Sequence, residues 1–256
     1  MSIPKHLYKY GSFKHPEYLK QIILENKLFF SNPRGFNDPF EFNPHIDGTI
    51  PNEQEAKEEF RKTLMKKLPH SSQTKIESHA QIAVDGLKNH PTDLSSLYSK
   101  LISQAGVYCL TEDRYSLLMW AHYTDKHTSF CLEFSFDKNS SIGNCLKPVQ
   151  YAITYPTFKF LTNNFSDAGE KSCLTKSKEW EYEKEWRILA KYHSTPNGEN
   201  MLEFPPSALT GIILGCRMLY KDKNEIFGWI TRRTTPMQIY QAIPDEQEYK
   251  LNIIPL

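Results

Sequence analysis

The residues of this chain best suited to chemistry lie between positions 176 and 189, where the sequence reads K-S-K-E-W-E-Y-E-K-E-W-R-I-L. Glu181, Glu183, Glu185 and Arg187 occupy every second position. Because side chains alternate across a β-strand, a strand would place these charges on one face and most of the aromatics on the other. In a helix, Glu183 and Arg187 would form only an exposed ion pair worth about 0.3 to 0.5 kcal/mol. The apolar run after Arg187 favours the strand.

A strand face that gathers Glu183, Glu185 and Arg187 has two interpretations. The charges form an internal ion-pair network that braces the strand, or at least one of the acids takes part in catalysis. Arg187 is expected to be the partner of the acids in either case. The sequence leaves both interpretations open.

Two other segments carry polar residues in unusual settings. The loop N-P-R-G-F-N-D-P-F-E, residues 32–41, contains two prolines and a glycine that exclude a regular element. Asn37 and Asp38 in this loop either satisfy local backbone groups in a turn or face a ligand. The segment S-L-L-M-W-A-H-Y-T-D, residues 116–125, predicts a helix with Met119, His122 and Tyr123 on neighbouring faces. His122 is either a core histidine or a catalytic one.

Composition limits the class of protein. The 256 residues are 39% hydrophobic and 24% charged, with a formal net charge of +1, which predicts a soluble globular protein. Nothing in this balance indicates strong binding to a phosphate backbone, although nucleic acid is not excluded. The five cysteines lack C-x-x-C spacing and indicate free thiols in a reducing cytosol. We expect a cytoplasmic protein with no membrane contact and no metal site.

Several common enzyme motifs are absent. The chain contains no G-x-x-x-x-G-K-[ST], G-x-G-x-x-G, G-x-S-x-G or H-E-x-x-H. A nuclease that pairs an acid with a lysine two positions later fits poorly, because Glu183 and Glu185 are followed at that spacing by Glu185 and Arg187.

The elements read from periodicity predict an α+β fold with a mixed or split β-sheet, formed as a single domain over residues 1–256. A Lys-, Glu- and Gln-rich region at about 51–104 predicts a helical insertion of three stretches. We expect strands at 6–10, 27–31, 105–111, 127–136, 149–155 and 211–215, helices at 16–26, 116–125, 156–174 (with a loop) and 222–233, and a closing hairpin of 237–243 with 249–254.

Four segments resemble the bacterial domain-of-unknown-function family two-nine-seven-one. They are L-Y-K-Y-G-S-F at 7–13, L-F-F-S-N-P-R-G-F-N-D-P-F-E at 28–41, M-W-A-H-Y-T-D-K-H at 119–127 and W-E-Y-E-K-E-W-R at 180–187. In order and spacing they span nearly the whole chain apart from the helical region. The family brings no established activity with it.

The layout of an opening strand, a helix, a strand ending in Ser and a late acidic strand is also similar to the ADP-ribosyltransferase superfamily. This resemblance implies a sheet core like that of those enzymes. It places Lys9 where that superfamily carries Arg or His, Ser31 on the second strand, and Glu183 or Glu185 at the catalytic acid. NAD would then be the substrate.

This chemistry assigns further roles. A carboxylate that bonds a ribose hydroxyl stabilises the charge that develops as the nicotinamide bond breaks. Arg187 or Arg34 would hold the pyrophosphate by charge-assisted bonds. Aromatic rings would stack on nicotinamide or adenine, and the candidates are Tyr8, Tyr10, Trp120 and Tyr123.

The first functional hypothesis is therefore an NAD-using ADP-ribosyltransferase or NAD glycohydrolase, acting as a toxin or phage-defence effector. Its partners would be NAD or a related nucleotide, a protein or nucleic-acid acceptor, and a cognate inhibitor. The second is a non-catalytic nucleotide or protein sensing module, in which the N-D-P-F-E loop and the M-W-A-H-Y segment enclose the ligand and binding depends on Asn37 and His122. A nuclease is the third.

Overall fold

The computed structural model describes residues 2–47, 52–89, 96, 98–99, 102–103, 105–159, 165–191 and 201–256. Its largest element is an eight-stranded sheet. The strands of this sheet are β1 (Leu7–Gly11), β4 (Ala105–Thr111), β5 (Phe130–Phe134), β6 (Leu146–Pro148), β10 (Glu185–Lys191), β12 (Leu209–Leu214), β13 (Gln238–Pro244) and β14 (Leu251–Pro255).

The strand order is β14-β13-β12-β5-β1-β4-β10-β6. Neighbouring strands are antiparallel except β12 and β13, which are parallel. A helix between β12 and β13 makes that parallel connection possible. The prediction of a fold with helices and a mixed sheet is thus confirmed, and the expected hairpin at the end of the chain is the pair β13 and β14.

Short sheets and helices surround the large sheet. The two-stranded sheets are β2 (Lys27–Phe29) with β11 (Met201–Glu203), β3 (His45–Asp47) with β8 (Thr157–Lys159), and β7 (Gln150–Ala152) with β9 (Thr175–Ser177). The α-helices are α1 (Pro16–Glu25), α2 (Glu53–Lys67), α3 (Gln73–Asn89), α4 (Leu117–Tyr123), α5 (Phe165–Cys173) and α6 (Tyr220–Ile230).

Each face of the large sheet is covered by its own hydrophobic core, because successive side chains of a strand point to opposite faces. Leu7 of β1 and Leu132 of β5 belong to the larger core. Tyr8, Tyr10 and Cys131 belong to the smaller core on the opposite face, together with Trp120 of α4 and other residues. The cleft described below is lined from both cores, by Tyr8, Tyr10 and Met119 of the smaller one and by Leu110 of the larger one.

The large sheet opens between β1 and β4. These strands share the single register pair Tyr8 with Thr111, whereas β4 pairs with β10 along its whole length from Ala105 to Thr111. Ser31 then bridges Val107 near the other end of β4. The separation of β1 from β4 leaves space for a cleft.

The segment 176–189 is not one strand, so that prediction was wrong for its first half. Lys178–Glu183 forms a 3-10 helix, Lys184 has a left-handed backbone with φ 45°, and β10 begins at Glu185. The Thr111 hydroxyl donates to the Glu183 carbonyl oxygen at 2.5 Å and fixes this turn. The acids occur at every second residue in both the 3-10 helix and the strand, so their spacing alone did not show the break.

Three other predicted elements differ. The strand expected at 27–31 ends at Phe29 and pairs with β11, so only the Ser31 bridge reaches the large sheet. The strand expected at 149–155 is the short β7, and the helix expected from 156 is divided into β8 and α5. The partners β11, β8 and β9 are each three residues long, so the strands that pair with them are short.

The expected helical region contains α2 and α3, which pack against each other. The third predicted stretch falls mostly on residues outside those that the structure describes. Among the described residues, none of the helices is both long and apolar enough to cross a lipid bilayer.

Lys184 provides a test of the turn before β10. A left-handed backbone costs a non-glycine residue roughly 1 to 2 kcal/mol, and a β-branched residue more. We expect the free energy of unfolding of Lys184→Val to be lower than that of Lys184→Ala by about 1 kcal/mol or more. The free energy of unfolding of Lys184→Gly should equal or exceed that of Lys184→Ala. Urea unfolding measures this, and the alanine variant controls for the exposed ion pair of Lys184 with Asp113. Equal stability of the valine and glycine variants would contradict the assignment.

Candidate functional site

A cleft of about 350 Å³ lies where β1 separates from β4. It is bounded by these two strands, by the loop 32–41, by α4 and by the turn before β10. Its lining residues are Tyr8, Lys9, Tyr10, Ser31, Gly35, Phe36, Asn37, Glu41, Cys109, Leu110, Thr111, Met119, His122, Tyr123, Lys176, Glu183 and Glu185. This volume falls within the usual range of small-molecule sites, about 300 to 1,000 Å³.

Helix α4 supplies one wall of the cleft. The Ser116 side chain caps the helix by accepting from the Met119 backbone N–H. Met119 is buried, while His122 is exposed and Tyr123 is half-buried at the cleft. The Tyr123 hydroxyl donates to Glu183 Oε1 at 2.6 Å. This bond joins helix α4 directly to the 3-10 helix Lys178–Glu183.

Lys176 lies among three carboxylates at the base of the cleft. Its Nζ is 2.5 Å from Glu183 Oε2, 3.1 Å from Glu185 Oε2 and 3.7 Å from Glu41 Oε1. The Lys176 side chain is only 5% exposed. Burial acts to lower the pKa of Lys176, but the three glutamates outweigh burial and raise it, so this lysine stays charged.

Arg187 lies behind this group and is fully buried. Its Nε and Nη2 donate to the two oxygens of Glu185 at 2.7 and 2.9 Å, and Nη2 also donates to Glu41. Nη1 donates to the Cys173 carbonyl oxygen at 2.6 Å. We call Glu41, Lys176, Glu183, Glu185 and Arg187 the buried charge network.

The two acids held by Arg187 respond differently to burial. Burial acts to raise the pKa of Glu185, but the charges of Arg187 and Lys176 outweigh it and lower this pKa to about 2. For Glu41, burial outweighs the same two cations and raises the pKa. Burial and the Glu183 charge together raise the pKa of Tyr123, which therefore remains a hydrogen-bond donor.

The loop 32–41 is fixed at two points, one to the 3-10 helix Lys178–Glu183 and one to β10. Glu41 belongs to the buried charge network, and Asp38 Oδ2 accepts from Trp180 Nε1 at 2.7 Å. The other oxygen of Asp38 accepts from the Phe40 backbone N–H at 2.8 Å. These contacts hold Phe36 and Asn37 at the cleft.

Most of the residues predicted from the sequence line the cleft. They are Tyr8, Lys9, Tyr10, Ser31, Asn37, His122, Tyr123, Glu183 and Glu185. They come from β1, the end of the β2 segment, the loop 32–41, α4 and the turn before β10. The structure thus brings together side chains that are distant in the sequence.

Four predicted residues do not line the cleft. Arg34 is exposed and donates to the Ser99 carbonyl oxygen, and Asp38 is occupied by Trp180. Trp120 is fully buried and donates from Nε1 to the Arg114 carbonyl oxygen at 2.9 Å. Arg187 is enclosed by its carboxylate partners. Asp38, Trp120 and Arg187 instead bond to segments that surround the cleft.

Sequence reasoning assigned no role at a site to Lys176, Glu41, Cys109 and Thr111, which all line the cleft. The sequence around Lys176 gives no indication of a site, because the preceding segment is an ordinary polar one. Lys176 lies near the acids only because the following residues, Lys178–Glu183, form a 3-10 helix. Glu41 was visible as an acid that follows two phenylalanines and a proline in the loop. Burial, together with the Glu185 charge, raises the pKa of Cys109, so its thiol is protonated at neutral pH.

The acids of the cleft are arranged around cations. No group of three or more His, Cys, Asp or Glu side chains suited to hold a metal ion is found within the described part of the chain. Lys176 occupies the position between Glu41, Glu183 and Glu185.

A family model described as "Protein of unknown function (DUF2971)" matches residues 119–188. The matched segment runs from α4 to β10 and contains Tyr123, Lys176, Glu183 and Arg187. The predicted resemblance to this family is therefore confirmed. No curated protein and no solved structure matches the chain. The resemblance to ADP-ribosyltransferases stays a prediction.

Removal of Arg187 tests the buried charge network. Arg187→Met would leave Glu185 and Glu41 buried without their main partner, a change that typically costs about 3 to 5 kcal/mol. We expect a loss of this size in the free energy of unfolding, measured by urea denaturation at pH 7. The double variant with Glu185→Gln should recover part of the loss. If Arg187→Met were as stable as the wild type, the network would not have the assigned role.

The pH dependence of stability provides a second test. A carboxyl whose pKa is lowered on folding stabilises the protein above its unfolded pKa and loses that contribution as pH falls. For Glu185 the loss should occur between about pH 4.5 and 2. The raised pKa of Glu41 has the opposite sign and acts above about pH 4.5, so Glu41 adds stability as the pH falls through its folded pKa towards 4.5. Stability should therefore fall less steeply below about pH 4.5 in Glu185→Gln, and it should gain less between neutral pH and about pH 4.5 in Glu41→Gln. Parallel pH profiles for the two variants would contradict these assignments.

Proposed function

We propose that this chain is an enzyme that breaks the nicotinamide-ribose bond of NAD, as an ADP-ribosyltransferase or an NAD glycohydrolase. The observation that carries the proposal is the position of Glu183 at the base of the cleft. Its carboxylate is held by Tyr123 and Lys176, one at each oxygen. Each oxygen retains a further lone pair that a ribose hydroxyl can use.

Glu183 is better suited to this role than Glu185. Arg187 occupies both oxygens of Glu185, and Lys176 adds a third bond. Both acids line the cleft, but Glu183 has no bond to Arg187 among the described contacts. We therefore assign Glu183 to the substrate and Glu185 to holding Lys176 and Arg187 in place.

The chemistry follows from charge. As the C1′–N bond lengthens, its electron pair moves to the ring nitrogen of nicotinamide and positive charge develops on the ribose. A fixed carboxylate that accepts a ribose hydroxyl stabilises this charge more in the transition state than in the ground state. The C1′ carbon then forms a bond to an oxygen or nitrogen of the acceptor, which loses a proton. Water as the acceptor gives hydrolysis, and a macromolecule gives ADP-ribosyl transfer.

Other cleft residues fit the two ends of the substrate. Tyr8 and Tyr10 lie on the same face of β1 and line the cleft, where their largely buried rings form an apolar wall against a base. Lys9, on the same strand, has no carboxylate partner among the described ion pairs and supplies positive charge. Ser31 and Asn37 are exposed at the cleft and offer hydrogen bonds to ribose or carboxamide.

NAD consumption or modification of a cellular macromolecule would suit a toxin or phage-defence effector. A cognate inhibitor would then protect the cell that makes it. The second candidate function is a nucleotide-sensing module without turnover, and it is favoured by Asn37 and His122, which both line the cleft.

Nicotinamide release from NAD tests the proposal. Glu183→Gln preserves shape but removes the charge, so we expect the initial rate to fall by about 100- to 1,000-fold. Glu181→Gln is the matched control, because Glu181 lies on the same 3-10 helix but pairs with Lys178 at the surface. Its rate should stay within about twofold of the wild type. Labelled NAD distinguishes transfer to protein, RNA or DNA from hydrolysis.

Two outcomes would contradict the proposal. One is an absence of nicotinamide release with every acceptor class tested. The other is turnover that is equal in Glu183→Gln and Glu181→Gln. NAD binding without turnover, lost in Asn37→Ala and unchanged in Glu183→Gln, would support the sensing module instead.

A further inference from the structure

We propose that Arg114 forms a subsite for the diphosphate group of a nucleotide, next to the cleft. The inference deepens the proposed function, on which the identity of the complete ligand rests. Binding of a simple nucleoside diphosphate tests the subsite separately from any turnover.

Arg114 lies in the loop between β4 and α4, two elements that line the cleft through Thr111 and Met119. The fully buried Trp120 donates to the Arg114 carbonyl oxygen at 2.9 Å and fixes the backbone of this loop. The Arg114 guanidinium carbon is 5.9 Å from the ring centroid of Tyr8, which is itself a cleft residue. The Tyr8 side chain therefore lies between the Arg114 guanidinium and the cleft.

Three tyrosines surround the Arg114 guanidinium. Its central carbon is 5.0 Å from the ring centroid of Tyr115, 5.7 Å from that of Tyr240 and 5.9 Å from that of Tyr8. The side chain remains 24% exposed. Aromatic rings hold a guanidinium by its flat face and leave its N–H groups at the edge. The cation is thus positioned in advance and open to solvent.

The hydrogen bonds of Arg114 are not saturated. Among the described contacts, Nη2 donates to the Tyr115 hydroxyl at 2.9 Å and Nη1 donates to Glu133 Oε2 at 3.4 Å. The bond to Glu133 is long, since charge-assisted bonds usually measure about 2.7 to 2.9 Å. A guanidinium has five N–H donors, so several remain for a ligand. Arg187, by contrast, holds Glu185 through two short bonds.

Glu133 limits the strength of this subsite. It is only 5% exposed, and its Oε1 accepts from the Thr210 hydroxyl at 2.9 Å. His6 Nδ1 lies 3.8 Å from the same oxygen. A phosphate group near Arg114 would compete with the Glu133 charge. Neutralising Glu133 should therefore strengthen anion binding, while neutralising Arg114 should weaken it.

The size of the cleft points to a diphosphate that extends beyond it. At about 350 Å³ the cleft is near the lower limit of small-molecule sites, so a dinucleotide would continue onto the neighbouring surface. Two cations expected from the sequence to hold a pyrophosphate, Arg34 and Arg187, do not line the cleft. Arg114 lies on the surface that adjoins Tyr8, and its forked donors suit phosphate oxygens.

Isothermal titration with ADP, and with adenosine as the ligand without phosphates, tests the subsite on the full chain. We expect Arg114→Gln to weaken ADP binding by about tenfold or more and adenosine binding by less than about twofold. Glu133→Gln should strengthen ADP binding, because it removes the competing charge and keeps the bond from Thr210. Arg34→Gln is the matched control, since it removes the same charge from an exposed arginine outside the cleft.

The subsite is overturned if ADP does not bind the wild-type chain, or if Arg114→Gln and Arg34→Gln bind ADP equally. It is also overturned if Arg114→Gln and Glu133→Gln shift ADP affinity in the same direction, as a purely structural role would require. If ADP binding depends on Arg114 while NAD is not cleaved, the proposed function fails and the subsite stands. If NAD is cleaved with an unchanged KM in Arg114→Gln, the proposed function stands and the subsite fails.

Discussion

The structure depends on a group of five buried charges, three from Glu41, Glu183 and Glu185 and two from Lys176 and Arg187. Removing ions from water costs several kcal/mol each, and only good geometry with further hydrogen bonds offsets that cost. Apolar residues of similar volume would often serve stability as well or better. The position of this group at the base of a cleft agrees with a role in binding or catalysis.

The buried charge network also joins parts of the chain that no continuous element connects. Glu41 belongs to the loop 32–41, Lys176 to β9, Glu183 to the 3-10 helix and Arg187 to β10. Tyr123 adds α4 through its bond to Glu183. Each of these segments supplies a wall of the cleft, so its shape and its charge arise from the same contacts. A change in one charge should therefore affect both stability and the site.

The sequence predicted the local parts of this arrangement. Alternation placed Glu185 and Arg187 on one face of β10, opposite Trp186 and Ile188 in the larger core, and both pairs are found there. The helix predicted at 16–26 is α1, which buries Leu19, Ile22 and Ile23 at helical spacing. These features depend on neighbours within a few residues, which periodicity describes well.

The remaining parts depend on contacts between distant residues. Glu41 and Arg187 are 146 positions apart, and nothing in the pattern around either residue indicates the other. The position of Lys176 depends on a 3-10 helix and the left-handed Lys184, which the regular spacing of acids concealed. The aromatic side chain of Trp120 suggested stacking on a ligand, yet tertiary packing buries it and directs its indole N–H to the Arg114 carbonyl oxygen. Side-chain type predicted candidates, and the fold decided their roles.

The central claim is that the buried charge network presents Glu183 to the ribose of a nicotinamide dinucleotide. A crystal structure of the Glu183→Gln variant with NAD tests it most directly, because the variant should retain the bound dinucleotide uncleaved. The account predicts a nicotinamide-side ribose hydroxyl within hydrogen-bond distance of residue 183, with Lys176 still bonded to Glu185. A dinucleotide bound away from this cleft, or one whose ribose contacts neither residue 183 nor its neighbours Tyr123 and Lys176, would contradict it.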